Sequence, residues 1–192
     1  EVAGPTAPVA LLNFATKISS AAELAVMSTG EVLQFARNQN KFLKEWKDAK
    51  ASAAVELGDG SLLVTQGKDL VRIGPNETKK IAADLGTLQG LAVLANDAYV
   101  VDLAGGQVMQ VNLGSGAKKV VAKGLDKPMS AALSGNQLLV IEFGKQRIVS
   151  VSLTSGAITE VAGNLPIGIY GKQQPGLGVG LSVGATGAIY VT

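Results

Sequence analysis

The chain has 192 residues, 47% of them hydrophobic and 17% charged, with 17 Lys and Arg set against 15 Asp and Glu for a net charge of +2. That balance permits a large buried core and argues against disorder, and the mixed charge with only 4% aromatics excludes the basic stripe and stacking platforms of nucleic-acid binders. Histidine and cysteine are both absent, which excludes Ser–His–Asp and Cys–His catalysis, disulfides, and imidazole or thiolate metal ligands. Any catalysis would run on carboxylates, Lys, Tyr or a metal held by oxygen.

The opening Glu1-Val2-Ala3-Gly4-Pro5-Thr6-Ala7-Pro8 reads equally as the small, Pro-containing end of a processed protein or as an arbitrary boundary in a longer sequence, and an extracellular or periplasmic location is expected. The first apolar stretch, Leu11 to Met27, is interrupted by Asn13, Lys17, paired serines and Glu23, so no membrane span is expected. From there a repeat is legible. Glu23 to Ser28 forms a first apolar strand, followed by Val32-Leu33-Gln34-Phe35. Lys41 to Ala51 contains good helix formers but falls where an outer strand is needed.

The second copy begins with Ala53-Ala54-Val55, turns at Gly58-Asp59-Gly60, and continues with Leu62 to Gln66 and Leu70 to Ile73. Its Asn76-Glu77-Thr78 is a chance glycosylation sequon at a turn, and Lys79-Lys80 forms a solvated edge. The third copy runs through Leu91-Ala92-Val93, the Asn96-Asp97 turn, Ala98 to Asp102, Val108 to Val111 and the charged Lys118 to Ala122. Gly105-Gly106 has no strand–glycine–helix context and is not a phosphate cradle. The fourth copy has Ala131-Ala132-Leu133, Leu138 to Glu142, Ile148 to Val151 and Ile158 to Val161. The last has only Leu181-Ser182-Val183 and Ile189 to Thr192.

A shared valine anchors the copies at Val26, Val64, Val100, Val140 and Val191. Four antiparallel strands in about 40 residues make one β-propeller blade. The expected fold is therefore all-β, a propeller of four-stranded antiparallel blades with about four and a half present, as part of a five- or six-bladed ring. The blades fall at about residues 9–50, 51–86, 87–126 and 127–164, with a partial one at 179–192; residues 165–178 form an insertion between blades. Because the repeat stops after a second strand, the natural protein is expected to continue, or another chain to complete the ring. In that open state Leu24-Ala25-Val26 and Ile189-Tyr190-Val191 are expected to lie exposed.

The stretch Gly180-Leu181-Ser182-Val183-Gly184-Ala185-Thr186-Gly187-Ala188-Ile189-Tyr190-Val191-Thr192 resembles the NHL-repeat consensus. Leu125-Asp126-Lys127-Pro128-Met129-Ser130-Ala131-Ala132 resembles the segment that leads into such a blade, with Ser130 where glycine is usual. The likeness runs from about residue 20 to the end and extends to gluconolactonase-like, streptogramin-lyase-like and scytonemin-cluster relatives. It implies a propeller that hosts binding modules and enzymes alike. The acidic residue that resemblance places after the second strand is kept as Asp102 and Glu142 but is Gln66 in the second copy. The lactonase metal set does not map onto this chain, and the histidine of the lyases is missing.

Two groups of residues are candidates for function. Asp102 and Glu142 end successive second strands, where carboxylates suit a hard divalent cation or, more simply, a turn cap paired with Lys145 and Arg147. The insertion at 165–178 carries Tyr170, Lys172 and Gln173, side chains suited to a partner surface on a rigid scaffold. The leading expectation is a non-catalytic binding or structural protein without a cofactor, recognising a protein, peptide or small ligand and no nucleic acid. The alternative is a metal-dependent hydrolase or lactonase, for which calcium or manganese at Asp102 and Glu142 is the implied cofactor.

Overall fold

The computed structural model describes residues 11–14, 22–27, 29–36, 41–167, 179–184 and 186–191. Apolar, β-branched runs punctuated by Gly, Asn and Asp turns give strands throughout. The first four-stranded antiparallel sheet contains β1 (Leu11–Phe14), β2 (Ala22–Met27), β3 (Val32–Ala36) and β4 (Lys41–Trp46). The second has β5 (Ala53–Glu56), β6 (Leu62–Gln66), β7 (Asp69–Ile73) and β8 (Thr78–Ala82). The third has β9 (Leu88–Leu94), β10 (Asp97–Asp102), β11 (Gln107–Asn112) and β12 (Lys118–Lys123). The fourth has β13 (Pro128–Ser134), β14 (Gln137–Glu142), β15 (Arg147–Ser152) and β16 (Ile158–Ala162), with one 3₁₀ turn, Phe143–Lys145, between its middle strands. A two-stranded fifth sheet pairs β17 (Leu181–Val183) with β18 (Ile189–Val191). Strand β17 lies against β13 and reaches β1, so the fifth sheet meets both the fourth and the first.

The cores lie between sheets. Ala98 and Val100 of β10 pack into the core shared by the second and third blades, while Tyr99 and Val101 pack into the core shared with the fourth. Leu138 and Val140 of β14 join that same core, and Leu139 and Ile141 turn the other way onto Leu181 of the fifth sheet. The strand period of two thus delivers side chains to two cores at once, which is why second strands read as unbroken apolar runs. Val26, Val64, Val100 and Val140 are all buried, each such side chain stabilising the fold by about 1.5–3 kcal/mol. Val191 is exposed. The expectation that Leu24-Ala25-Val26 lies open is corrected, because Leu24 and Val26 pack on Leu62 and Val64 of the second blade and all three residues are buried.

Lys41–Trp46 is a strand and not a helix, because hydrogen bonding to β3 overrides its helical propensity. Each complete blade also carries a feature that the sequence reading did not anticipate. The outer strand bulges at the same place, leaving Leu43, Ile81, Val121 and Val161 without a partner in the register. The carbonyl oxygens of Ile81 and Val121 sit directly against Gly116 and Gly156, which turn between the third and fourth strands of the following blade. A Cβ at either glycine would collide with that carbonyl, and both glycines have positive φ, so the contact between blades requires glycine twice over.

Candidate functional site

In an antiparallel blade the turn between second and third strands shares one end of the sheet with the segments that pass between blades. Asp102 and Glu142 lie at that end, on the last residues of β10 and β14, opposite Gln107 and Arg147 in the register. Both are buried, with Glu142 wholly inaccessible.

Each side chain holds the segment that leads into its own blade. Asp102 Oδ1 accepts the Thr87 N–H at 2.8 Å, and its Oδ2 accepts Gln107 Nε2 at 3.0 Å. Glu142 Oε1 accepts the Asp126 N–H at 2.7 Å and Lys145 Nζ at 3.0 Å, while Oε2 accepts Arg147 Nε at 2.5 Å. The second blade makes the same clasp with reversed polarity: Gln66, at the equivalent position, donates Nε2 to the Ala49 carbonyl at 2.5 Å. The departure to glutamine in that copy therefore keeps the job and exchanges acceptor for donor. Gly86, at φ +95°, and Gly105 lie so close to the Asp102 carboxylate that neither has room for a Cβ, while a Cβ at Gly106, φ +58°, would meet the Leu125 carbonyl, which together give the Gly105-Gly106 pair its structural reason.

The charge environments differ. Burial pushes the Glu142 carboxyl up, but hydrogen bonds from Arg147, Lys145 and the Asp126 amide outweigh it, and the net displacement is below the ordinary glutamate value. Arg147 also donates to Glu160 at 2.9 Å, extending the network to the outer strand. Nearby on the same face, Lys68 and Asp84 form an exposed ion pair at 2.6 Å; their hydrogen bond raises the lysine pKa and lowers that of the aspartate.

Both carboxylates are surrounded by the chain's own donors, and Glu142 also by two cations. That set does not fit a hard dication, which seeks several converging oxygen ligands. No group of three or more His, Cys, Asp or Glu positioned for a metal occurs among the described residues.

A second repeated contact starts the insertion. The N–H groups of Leu85, Leu125 and Leu165 donate to the carbonyls of Lys68, Gly106 and Gln146 respectively, each in the turn between second and third strands. The Ile167 N–H adds a bond to Gln146 Oε1 at 3.0 Å, and Ile167 is buried. Residues 165–167 therefore lie on the same end as Glu142. Tyr170, Lys172 and Gln173 fall outside the described residues. At the opposite end of the second blade, a cleft of about 340 Å³ is lined by Asp59, Ser61, Arg72, Asn76, Glu77 and Lys79, a grouping the sequence reading missed. Arg72 is already engaged there, donating to Ser61 Oγ at 2.8 Å and pairing with Asp59.

Among known proteins the likeness is structural. A chain of the crystal structure of a nidogen/laminin complex superposes with a TM-score of 0.73, covering 94% of this chain and 71% of its own length at 9% identity. The structure of apo AztD from Citrobacter koseri gives 0.50 at 18% identity, covering 81% of this chain and 48% of that one. The fold is a β-propeller. At such identities the likeness reaches no further than the propeller, which hosts unrelated functions. No family model matches the chain, and no curated protein does. The NHL resemblance therefore rests on its motifs alone. No helix among the described residues is long and apolar enough to cross a membrane.

Proposed function

We propose that the chain is a non-catalytic propeller, of NHL type and exported, that binds a protein, peptide or small ligand on the face bearing Asp102, Glu142 and the insertion after Leu165. One observation carries this reading: every carboxylate oxygen of Asp102 and Glu142 is engaged by a donor of the chain itself, which suits a rigid platform better than acid–base or metal chemistry. On this reading Tyr170, Lys172 and Gln173 supply the contacting side chains, and the bonds from the Leu165 and Ile167 N–H groups to Gln146 hold the start of the loop that presents them. The absence of histidine agrees with it.

The discriminating experiment compares the chain with its Asp102→Ala and Glu142→Ala variants, each with calcium and with manganese. The expected result is no turnover of a lactone and ester panel and no metal-dependent rise in melting temperature. Turnover that requires metal and disappears in the two variants would replace this proposal with the hydrolase alternative.

A further inference from the structure

Three seams join the four complete blades, and their rims can be compared position by position. In the second, third and fourth blades one backbone bond closes the turn between third and fourth strands. The donor and acceptor are Gly74 and Glu77 at 2.8 Å, Asn112 and Ala117 at 2.8 Å, and Ser152 and Ala157 at 2.9 Å. The strand pairs that lead into these turns correspond as well: Ile73 with Thr78, Val111 with Lys118, and Val151 with Ile158. Inside the bond the third and fourth blades hold four residues, Leu113-Gly114-Ser115-Gly116 and Leu153-Thr154-Ser155-Gly156, but the second blade holds only Pro75-Asn76. Its turn is a two-residue hairpin, two residues short of its counterparts.

The longer turns make two contacts that the short one lacks. Their leucine N–H groups bond back to the first hairpin of the same blade, Leu113 to the Asn96 carbonyl and Leu153 to that of Asn136. Their glycines then seat against the bulge carbonyl of the preceding outer strand, Gly116 on Ile81 and Gly156 on Val121. At the second seam Lys118, just past the turn, adds a bond from Nζ to the Ala83 carbonyl at 2.8 Å. In the second blade a Cβ on Gly74 would meet only Glu77 of its own turn, so this turn makes no such seat on the first blade. Accordingly Leu43, at the bulge of the first blade, is 46% exposed, whereas Ile81 and Val121 pack partly buried against the blade cores. The first seam is held on its inside by the Gln66 bond to Ala49, a bond from Gln34 Nε2 to Glu56 at 3.0 Å, and a core that includes Leu24, Val26, Leu62 and Val64. It is pinned within and untied at its rim.

We propose that the first seam is a hinge. The first blade swings away from the second at the rim, pivoting on the Gln66 clasp and the connecting residues 47–52, while the second, third and fourth blades stay together as one body. The open state uncovers Leu24, Val26, Leu62 and Val64 without breaking a strand pairing inside either sheet. It is a sub-global opening and not the unfolding of a blade. The length of one turn, two residues shorter than its counterparts, sets where the propeller opens. All three seams lie between complete four-stranded blades, and the hinge is independent of ligand binding at the Asp102 and Glu142 face.

The chain holds no cysteine, so one introduced thiol reports on one seam. Ala54 and Ala131 are equivalent: each pairs with the anchor valine of its blade, Val64 or Val140, and each is buried in the core shared with the preceding blade. A small aromatic disulfide reagent is added in excess to folded Ala54→Cys and Ala131→Cys chains, and each labelling rate is divided by that of the same variant in denaturant. The ratio for Ala54→Cys should be higher by about tenfold or more. It should also depend less steeply on urea, because the opening exposes less surface than global unfolding does. Replacing Gly74–Glu77 by the six residues of the Ser152–Ala157 turn should slow the Ala54→Cys chain to the Ala131→Cys level. Gly156→Val should do the reverse, speeding labelling of the Ala131→Cys chain. The hinge is overturned if the two thiols give equal ratios, if both ratios follow global unfolding, or if the longer turn leaves the Ala54→Cys ratio unchanged. Should the exchanged turn prevent folding, Gly156→Val decides alone, and no acceleration at Ala131→Cys overturns the hinge.

Discussion

Asp102 and Glu142 stand at the same point of neighbouring blades and hold the same loop, but one does so among neutral donors and the other among cations. Asp102 is met by an amide N–H and a glutamine side chain; Glu142 by an amide N–H, a lysine and an arginine that itself bridges to Glu160. Add Gln66, which grips a carbonyl with its amide, and three chemistries serve one geometric task. What the position requires is a polar side chain long enough to reach the incoming backbone. Charge is a local option whose cost depends on whether the neighbours supply counter-charge.

Substitutions can break that comparison. Glu142→Ala should have the largest effect, because it removes the acceptor of three bonds and leaves Arg147 and Lys145 without their shared anion. A loss of about 3 kcal/mol is expected, read as a fall in melting temperature. Glu142→Gln keeps the volume and the bond from the Asp126 amide but not the charge, and should lose about 2 kcal/mol. Asp102→Asn should cost about 1 kcal/mol, since asparagine still accepts from Thr87 and the Gln107 amide can rotate to present its oxygen. If Asp102→Asn proves as damaging as Glu142→Gln in a denaturant titration, the two clasps are not electrically different after all.

The smallest effect is the pH dependence of the Glu142 clasp. The folded-state pKa of Glu142 lies below the ordinary value of 4.5. Through that window the unfolded chain binds more protons than the folded one, so the stabilisation from Glu142 is present above pH 4.5 and is lost as pH falls through the lowered folded value. The stability difference between wild type and Glu142→Gln should therefore narrow in acid. A difference that stays constant from pH 7 down to pH 3 would show that charge contributes nothing at this site.

The repeat was legible because burial on both faces forces second strands to be apolar at every position, and a run such as Leu138-Leu139-Val140-Ile141 has little other use. Turn chemistry marked the strand ends. The equivalence of Asp102 and Glu142 was legible as well, and so was the pairing of Glu142 with Lys145 and Arg147. The bulges were hidden, because Leu43, Ile81, Val121 and Val161 look like ordinary strand residues and their irregularity arises only from pairing. Gly116 and Gly156 drew no reading of their own, since nothing local shows that a carbonyl of the preceding blade rests on each. The burial of Leu24-Ala25-Val26 was misjudged for a related reason: the residues that cover it, Leu62 and Val64, belong to the following copy.

The clasps have a consequence for how such a chain reaches its fold. They join Gln66 to Ala49, Asp102 to Thr87 and Glu142 to Asp126, spans of 17, 15 and 16 residues. The entropic cost of closing such loops grows only with the logarithm of their length, so short spans like these are the cheapest to close. Loops of about ten residues close in roughly 10–100 ns, far faster than the distant strand pairings that slow most all-β proteins. Each blade can thus fasten its own leading segment before any neighbour has formed. The shared cores are then assembled from units already tied, one nearest neighbour at a time.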